Sequence, residues 1–245
     1  MKLMVNHQTH YSYTETARNS IQYIKMMPQT SAHQHVMNWA ISVPGDKTIK
    51  IDILNKVWMA QGIVELQNVE MGCVNLSTPA NLFLQMTGAT RCDLEMLDFA
   101  KNIVVTKNRK HIALLSEYIL QKILYQPEST SVQTTAIEAF HAGQGVCQDH
   151  AHILIAMCRA LQLPARYVSG YLFDQNYPHL ASHAWAEVFL ENQWYCFDVS
   201  NQLFTPKHHI YLAVGRDYLD VAPIRGVREQ GGIENMMSVV QVLAC

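Results

Sequence analysis

The sequence has little charge, few turn-forming residues and no long apolar run, and each absence excludes a class of protein. Charged residues make up only 16% of the 245 residues, and the formal charge is −2 with histidine neutral. Because no long basic run is present, a nucleic-acid partner is not expected. The apolar segments fall far below the ~18 residues that span a bilayer, so no membrane partner is expected either. With 11 glycines, 8 prolines and 49% hydrophobic residues, the chain is not of the disordered class and predicts a packed core.

The cysteines are scattered along the chain. The six cysteines stand at positions 73, 92, 147, 158, 196 and 245, with no CxxC pair. In a chain of this length, such spacing argues against a disulfide framework and against a structural zinc ribbon. The N-terminal stretch MKLMVNHQTHYSYTE lacks the continuous apolar segment of a secretory signal. The expectation is therefore a reducing, cytoplasmic location with free thiols.

The chain divides into two segments of different character. Residues 2–90 contain short β-rich runs separated by turn residues, and helical spacing begins at Leu94. The division predicts an antiparallel β domain over residues 1–93, followed by an α+β core over residues 94–245. The β-rich runs are Met4–Tyr13, Ser20–Met26, Val36–Val43, Thr48–Ile53, Val57–Ala60 and Ile63–Val69.

Helices come first in the second segment. Apolar residues recur at helical spacing over His111–Tyr125 and again over Cys147–Leu161. Between them, Thr134 or Thr135 is expected to cap a short helix that ends at Ala142.

Strands follow the helices. From Arg166 the apolar period changes to two, which predicts a strand over Tyr167–Phe173. The runs His183–Leu190 and Trp194–Ser200 flank Glu191-Asn192-Gln193, and this pattern predicts a β-hairpin.

One cysteine stands where a glycine-containing turn enters a predicted helix. Gly143-Gln144-Gly145-Val146 precedes Cys147, and a helix N-terminus carries partial positive charge and unpaired backbone N–H groups. Both favour the thiolate, which is the nucleophilic form, and the free N–H groups can bind an oxyanion. Cys147 is therefore a candidate nucleophile. The alternative is a small buried cysteine that merely starts a helix.

The predicted hairpin offers a base for this thiol. If Glu191-Asn192 closes the hairpin, His183 lies opposite Ser200, and Asp198 is its diagonal neighbour on the same face. An Asp198 carboxylate that accepts one ring N–H of His183 would leave the other nitrogen for Cys147. A register slip of one residue would move Asp198 to the opposite face. The alternatives are a polar histidine at a strand start and a solvated carboxylate.

The same residues fall in motifs of a known family. The stretches are GVCQDHAH (145–152), LPARYVSGY (163–171), SHAWAEV (182–188), WYCFD (194–198) and AVGRDYLDVAPIRG (213–226). They resemble the bacterial transglutaminase-like family of the papain-like cysteine protease superfamily, and the first 90 or so residues resemble its N-terminal β domain. The family's order of cysteine, histidine and aspartate falls on Cys147, His183 and Asp198.

Two departures from the family pattern leave these positions intact. Val199-Ser200-Asn201 follows Asp198 where the family has Pro-Thr-Asn, and residues 52–56 read DILNK in place of an Asp-x-x-Gly-Asn turn. The resemblance implies an α+β fold in which an antiparallel β domain precedes a papain-like, transglutaminase-like core.

The resemblance also implies acyl transfer on a peptide or protein substrate. Cys147 would attack a peptide or side-chain amide to form a thioester, His183 would shuttle the proton, and Asp198 would orient His183. Water as acceptor makes a cysteine protease or amidase, and an amine makes a transglutaminase. A non-catalytic peptide-binding module on the same fold is the further alternative. The backbone N–H of Cys147 is one expected oxyanion donor, and the second is not identified.

The twelve histidines offer a metal site as a competing interpretation. His150-x-His152, His179-x-x-x-His183 and His208-His209 are the pairs concerned. The first pair points to different helix faces, and the second lies in a loop without the Glu of a HExxH site. No Asp-x-Asp-x-Asp-Gly calcium loop is present. The prediction is no metal, no cofactor and calcium-independent activity.

Overall fold

The computed structural model describes residues 1–43, 53–67, 78–175, 179–180 and 182–245. A 3₁₀ helix covers Ala80–Leu84. The helices are α1 (Leu94–Ile103), α2 (Arg109–Lys122), α3 (Ala136–Ala142), α4 (Cys147–Ala160) and α5 (Tyr218–Val221). The strands are β1 (Lys2–Ile24), β2 (Gln34–Ser42), β3 (Ile53–Leu66), β4 (Leu124–Tyr125), β5 (Gln144–Gly145), β6 (Ala165–Leu172), β7 (His179–Leu180), β8 (His183–Leu190), β9 (Gln193–Phe197), β10 (His209–Gly215), β11 (Ile224–Gln230) and β12 (Glu234–Ala244). Over these ranges, no helix has both the length and the apolar character needed to cross a membrane.

A large antiparallel sheet is built around β1. Its strand order is β2-β3-β1-β12-β7, and β11 also pairs with β1. The prediction of two separate strands over Met4–Tyr13 and Ser20–Met26 was wrong. Because β1 pairs with β3 and β12 along its first half and with β11 along its second, its backbone stays extended through the polar residues 14–20.

The run Val57–Ala60 and residues 63–66 of the run Ile63–Val69 are likewise parts of one strand, β3, and residues 68 and 69 lie outside the described residues. Gly62 between them is not a break: a Cβ at this position would lie 2.6 Å from the Trp39 ring, so glycine lets β2 pack closely there. The predicted run Thr48–Ile53 lies outside the described residues except for Ile53.

The sheet of the first segment is completed by the end of the chain. Strand β12 pairs with β1 from Leu3↔Ala244 to Tyr13↔Glu234, and β11 pairs with residues 17–24 of β1. The boundary at 93/94 stays a prediction. In the structure, however, two strands that pair with β1 come from the other side of this boundary. They are β11 and β12, which lie within residues 224–244.

The second sheet supports the core helix α4. It is antiparallel, with strand order β10-β6-β8-β9, and α4 packs between it and α1, α2 and α3. All residues of α4 from Gln148 to Arg159 are buried, so this helix is enclosed on every side rather than on the single face that its apolar stripe indicated. The predicted α+β class, with a strand-rich region ahead of a core of helices and an antiparallel sheet, is confirmed.

A buried polar cluster joins the two sheets. The Nδ1 atom of His7 lies 2.7 Å from the Tyr171 hydroxyl on β6, and its Nε2 atom lies 2.8 Å from the Ser238 hydroxyl and 3.0 Å from the Thr9 hydroxyl. Burial lowers the pKa of His7 from 6.5 to about 4. Burial has the same effect on His152 of α4, whose pKa also falls to about 4. Both histidines are therefore neutral in the folded chain near pH 7.

Acidification is expected to destabilise the fold between pH 6.5 and pH 4. In this interval the unfolded chain binds protons that buried His7 and His152 do not, so the free energy of unfolding falls as the pH falls and is fully retained only above about pH 6.5. Each group contributes a loss of roughly 2–3 kcal/mol by pH 4.5. Urea unfolding at pH 7 and pH 4.5 measures this loss. His7→Gln should show a smaller pH-dependent loss than the parent protein, and an equal loss in both would contradict the prediction.

Candidate active site

The turn before α4 delivers Cys147 to a helix N-terminus. Thr135 caps the start of helix α3, where its side chain and that of Glu138 form a capping box. Gly143 caps the end of this helix in a left-handed conformation with φ 68°. This confirms the predicted helix and its cap. Strand β5 then pairs in parallel with β4, with Gly145 opposite Tyr125. Cys147 follows two residues later as the first residue of α4, half-buried.

Asp149 holds the start of this helix in place. Its Oδ2 atom accepts hydrogen bonds from the Val146 N–H at 2.8 Å and from the Thr130 hydroxyl at 2.6 Å. A Cβ at Gly145 would lie 2.7 Å from the Asp149 Cβ, so glycine is needed for the carboxylate to fold back over the turn. Burial raises the pKa of Asp149, although both hydrogen bonds act against that change.

The hairpin places His183 and Asp198 on one face, as predicted. Glu191 and Asn192 close it with φ values of 50° and 68°, the conformation of a two-residue type I′ turn. Ala186 pairs with Phe197, and continuing this register sets His183 opposite position 200. The His183 Nε2 atom lies 2.8 Å from the Asp198 Oδ2 atom. The predicted register is confirmed.

His183 also meets Cys147, so the structure brings together all three residues selected from the sequence. Burial acts to lower the pKa of His183, but the Asp198 charge and hydrogen bonds with Asp198 and Cys147 outweigh it and raise that pKa to about 10. Although burial opposes ionisation of Asp198, the charge and hydrogen bond of His183 hold the pKa of that carboxyl well below its usual range. Since Nε2 is used by Asp198, Nδ1 is the ring nitrogen left for the thiol.

The Asp198 carboxylate has two further partners that sequence reasoning missed. The Asn201 amide Nδ2 donates to Oδ2 at 3.0 Å and its backbone N–H donates to Oδ1 at 3.2 Å. The His209 Nε2 atom lies 3.0 Å from Oδ2. The spacing Asp198-x-x-Asn201 is typical of a local side-chain to backbone turn and could have indicated the first contact. Nothing local to β10 indicates the second, because it depends on the order of strands in the sheet.

Two family models match the chain. Residues 98–199, which include Cys147, His183 and Asp198, match the transglutaminase-like superfamily, and residues 3–53 match the bacterial transglutaminase-like N-terminal region. Residues 98–199 match a transglutaminase-like core. These two matches confirm the resemblance on which the sequence-based expectations depended.

One relative extends the similarity over nearly the whole length of this chain. A protein of Mycobacterium leprae is 27% identical, with 98% of each chain covered. A protein of Mycobacterium tuberculosis is 38% identical over 46% of this chain, and that match spans 40% of the relative. The crystal structure of a "putative cysteine protease" from Cytophaga hutchinsonii has a TM-score of 0.76 at 22% identity and covers 100% of this chain and 91% of that one. At this level of identity, the similarity to the crystal structure shows a shared fold only.

A metal interpretation of the transglutaminase-like site centres on His183, Asp198 and His209. Their donor atoms all lie within 4.8 Å of one another, and two imidazoles with one carboxylate form a donor set that transition metals accept. However, the Asp198 Oδ2 atom already accepts from both ring nitrogens at hydrogen-bond distances of 2.8 and 3.0 Å. Both rings would have to give up these N–H groups to bind an ion. The arrangement therefore fits a hydrogen-bonded cluster of two histidines and one aspartate better than a metal centre.

The histidines of α4 have structural partners. His150 donates from Nε2 to the Ile123 carbonyl at 3.0 Å and accepts at Nδ1 from the Ser200 hydroxyl at 2.9 Å. His152 accepts at Nε2 from the Tyr218 N–H at 3.2 Å. They are hydrogen-bonded core histidines rather than a ligand pair. The side chain of His179, in the second pair considered, lies outside the described residues.

Proposed function

We propose that this transglutaminase-like protein is a cysteine hydrolase that cleaves peptide or side-chain amides through a thioester on Cys147. The observation that carries the proposal is the position of His183, whose Nε2 atom lies 2.8 Å from the Asp198 Oδ2 atom and whose pKa is raised by both Asp198 and Cys147. A nucleophile, a base and a group that orients the base are the parts that such chemistry needs.

The charge state of this group supports the first chemical step. Because the pKa of His183 is raised to about 10, the ring carries its second proton near pH 7, and an imidazolium beside Cys147 favours the thiolate. The thiolate attacks the amide carbonyl, and the resulting tetrahedral oxyanion collapses as the C–N bond breaks. His183 gives its proton to the departing amine, which leaves neutral imidazole and a Cys147 thioester.

The second step returns the enzyme to its starting state. Neutral His183 takes a proton from water as that water attacks the thioester, and the thiolate departs from the acid product. Asp198, fully buried, stabilises the charged ring at both stages. The side chain of His183 keeps 11% of its surface exposed and Cys147 is half-buried, so substrate and water can reach the reacting atoms.

The helix start supplies a donor for the oxyanion. The first backbone bond of α4 runs from the His150 N–H to the Val146 carbonyl, so the Cys147 N–H precedes the helical ladder. Such a group, at the positive end of the helix, can donate to an oxyanion on the attacked carbon. The substrate proposed is a peptide or protein. The cytoplasm, where thiols stay reduced, is the proposed location.

The products formed with and without an added amine test the proposal. A glutamine-containing peptide is incubated with the protein, with and without a primary amine, and the products are weighed by mass spectrometry. We expect cleaved peptide or the side-chain acid in both samples. An amine adduct formed in preference to the acid would replace the hydrolase with a transglutaminase.

Iodoacetamide labelling separates an enzyme from a binding module. The rate at which Cys147 is alkylated should already be high near pH 6, because the His183 imidazolium favours the thiolate. Mass spectrometry of the digested protein gives this rate for each cysteine separately. An ordinary thiol has a pKa of about 8.5. If the alkylation rate of Cys147 rises only near that pH and no peptide product forms, the hydrolase is excluded and the peptide-binding module remains.

A further inference from the structure

We propose that His209 is a positioning residue that holds the Asp198 carboxylate toward His183, and that the N-terminal segment fixes His209 in turn. This inference rests on the proposed function, because it assigns a residue to the same acyl-transfer site. It concerns His209, His33 and Gln34, which the sequence patterns did not connect with Cys147.

The contact with Asp198 is short and enclosed. His209 is fully buried, its Nε2 atom lies 3.0 Å from the Asp198 Oδ2 atom, and its ring packs edge-on against the Trp185 ring at 4.6 Å between centroids. His183 approaches the same oxygen at 2.8 Å. Two imidazoles on two different strands therefore share one carboxylate oxygen.

His209 acts as a neutral donor in this arrangement. Burial lowers the pKa of His209 although Asp198 acts to raise it, so the ring carries one proton near pH 7. An ionised carboxylate only accepts, so that proton lies on Nε2. Among the described residues, Nδ1 has no hydrogen-bond partner. A neutral donor orients Asp198 without a second positive charge that would weaken its attraction for the His183 imidazolium.

The titratable groups near His209 are few. Asp198 and His183 lie on the hairpin side, His208 is adjacent in the chain, and His33 approaches from the N-terminal segment. Asp198 is the acidic group that hydrogen-bonds to the ring. His209 therefore acts on the site by orienting the Asp198 carboxylate.

Two residues of the N-terminal segment, His33 and Gln34, hydrogen-bond to β10, the strand that carries His209. The His33 Nε2 atom donates to the His209 carbonyl at 2.7 Å. The Gln34 side chain accepts from the Tyr211 N–H at 2.8 Å and donates to the Tyr211 carbonyl at 2.9 Å. His33 and Gln34 are both fully buried. Three hydrogen bonds from two adjacent residues thus set the backbone of β10 where His209 meets Asp198.

A pair of amide substitutions tests this role. In His209→Gln the amide nitrogen can occupy roughly the place of Nε2, whereas in His209→Asn it reaches only the place of Nδ1. The readouts are the pH dependence of Cys147 alkylation by iodoacetamide, peptide hydrolysis, and thermal unfolding of each variant. We expect His209→Asn to move the alkylation curve up by about one pH unit, a tenfold lower rate on its rising part, and to reduce hydrolysis at least about tenfold. His209→Gln should stay close to the parent in both.

A third variant tests the link to the N-terminal segment, and the outcomes separate the two proposals. Gln34→Met removes both bonds to Tyr211 and should move the alkylation curve in the same direction by a smaller amount. A folded His209→Asn protein with the parent's curve, or a folded His209→Gln protein as impaired as His209→Asn, would overturn the positioning role alone. A parent protein whose Cys147 reacts only like an ordinary thiol and that releases no peptide product would overturn this inference and the proposed function together. A purely structural role would lower the melting temperature and leave the curve in place.

Discussion

Cys147→Ala is expected to lower peptide hydrolysis by at least roughly 1,000-fold, because no thioester can form without the thiol. The fold should be retained, since Cys147 is half-buried and packs only at the border of the main core. Release of peptide product measured by mass spectrometry, with circular dichroism as the check on folding, gives the comparison.

Cys92→Ala is the matched control for this substitution. Cys92 is also half-buried and packs against the same core cluster, and its thiol donates to the Asp93 carbonyl. Burial raises the pKa of Cys92 to about 11, so it remains a thiol near pH 7 and is not a nucleophile. Hydrolysis should be unchanged in Cys92→Ala. Activity that survives in Cys147→Ala, or that is lost equally in both variants, would refute the assignment of the nucleophile.

Asp198→Asn is expected to reduce kcat/KM by roughly 100- to 10,000-fold while the hairpin is retained. The carboxylate oxygen Oδ2 accepts from His183, His209 and Asn201, and an amide group placed there offers an N–H to at least one of these donors. Without the negative charge, the pKa of His183 falls from about 10, so the imidazolium that favours the thiolate is lost at lower pH. The descending alkaline limb of the pH–rate profile should therefore move to lower pH.

A second aspartate–histidine pair serves as the control for this variant. Asp93 caps α1 and its Oδ2 atom lies 2.7 Å from the His141 Nε2 atom, on the exposed side of the protein. Asp93→Asn changes the same functional group and should leave both the pH–rate profile and the fold in place, because asparagine caps a helix about as well as aspartate. If Asp198→Asn kept the parent's rate and profile, Asp198 would not orient His183.

Local sequence was sufficient for the parts of the site that depend on neighbouring residues. The Thr135 cap, the Gly143 helix end and the helix start at Cys147 follow from side-chain hydrogen bonds and backbone conformations within a few residues. The register of the β8–β9 hairpin follows from its two-residue turn. These signals are short in range, so they could be recognised without knowledge of the fold.

Features that depend on distant pairing could not be recognised in this way. The runs Met4–Tyr13 and Ser20–Met26 were predicted as separate strands, yet β1 continues between them because β3, β12 and β11 supply its hydrogen bonds. The α4 stripe indicated one buried face, but the whole helix is enclosed because three helices and a sheet surround it. In each case the partners lie far away in the sequence.

The amino-acid sequence by itself determined the α+β class, the three residues Cys147, His183 and Asp198, and the local geometry that presents each of them. Tertiary structure decided which groups surround Asp198. His209 reaches it only because β10 takes its place beside β6, and β10 is held there by His33 and Gln34. The physical reason is that a hydrogen bond between residues far apart in the chain requires the whole sheet to be assembled first, and no local pattern encodes that assembly.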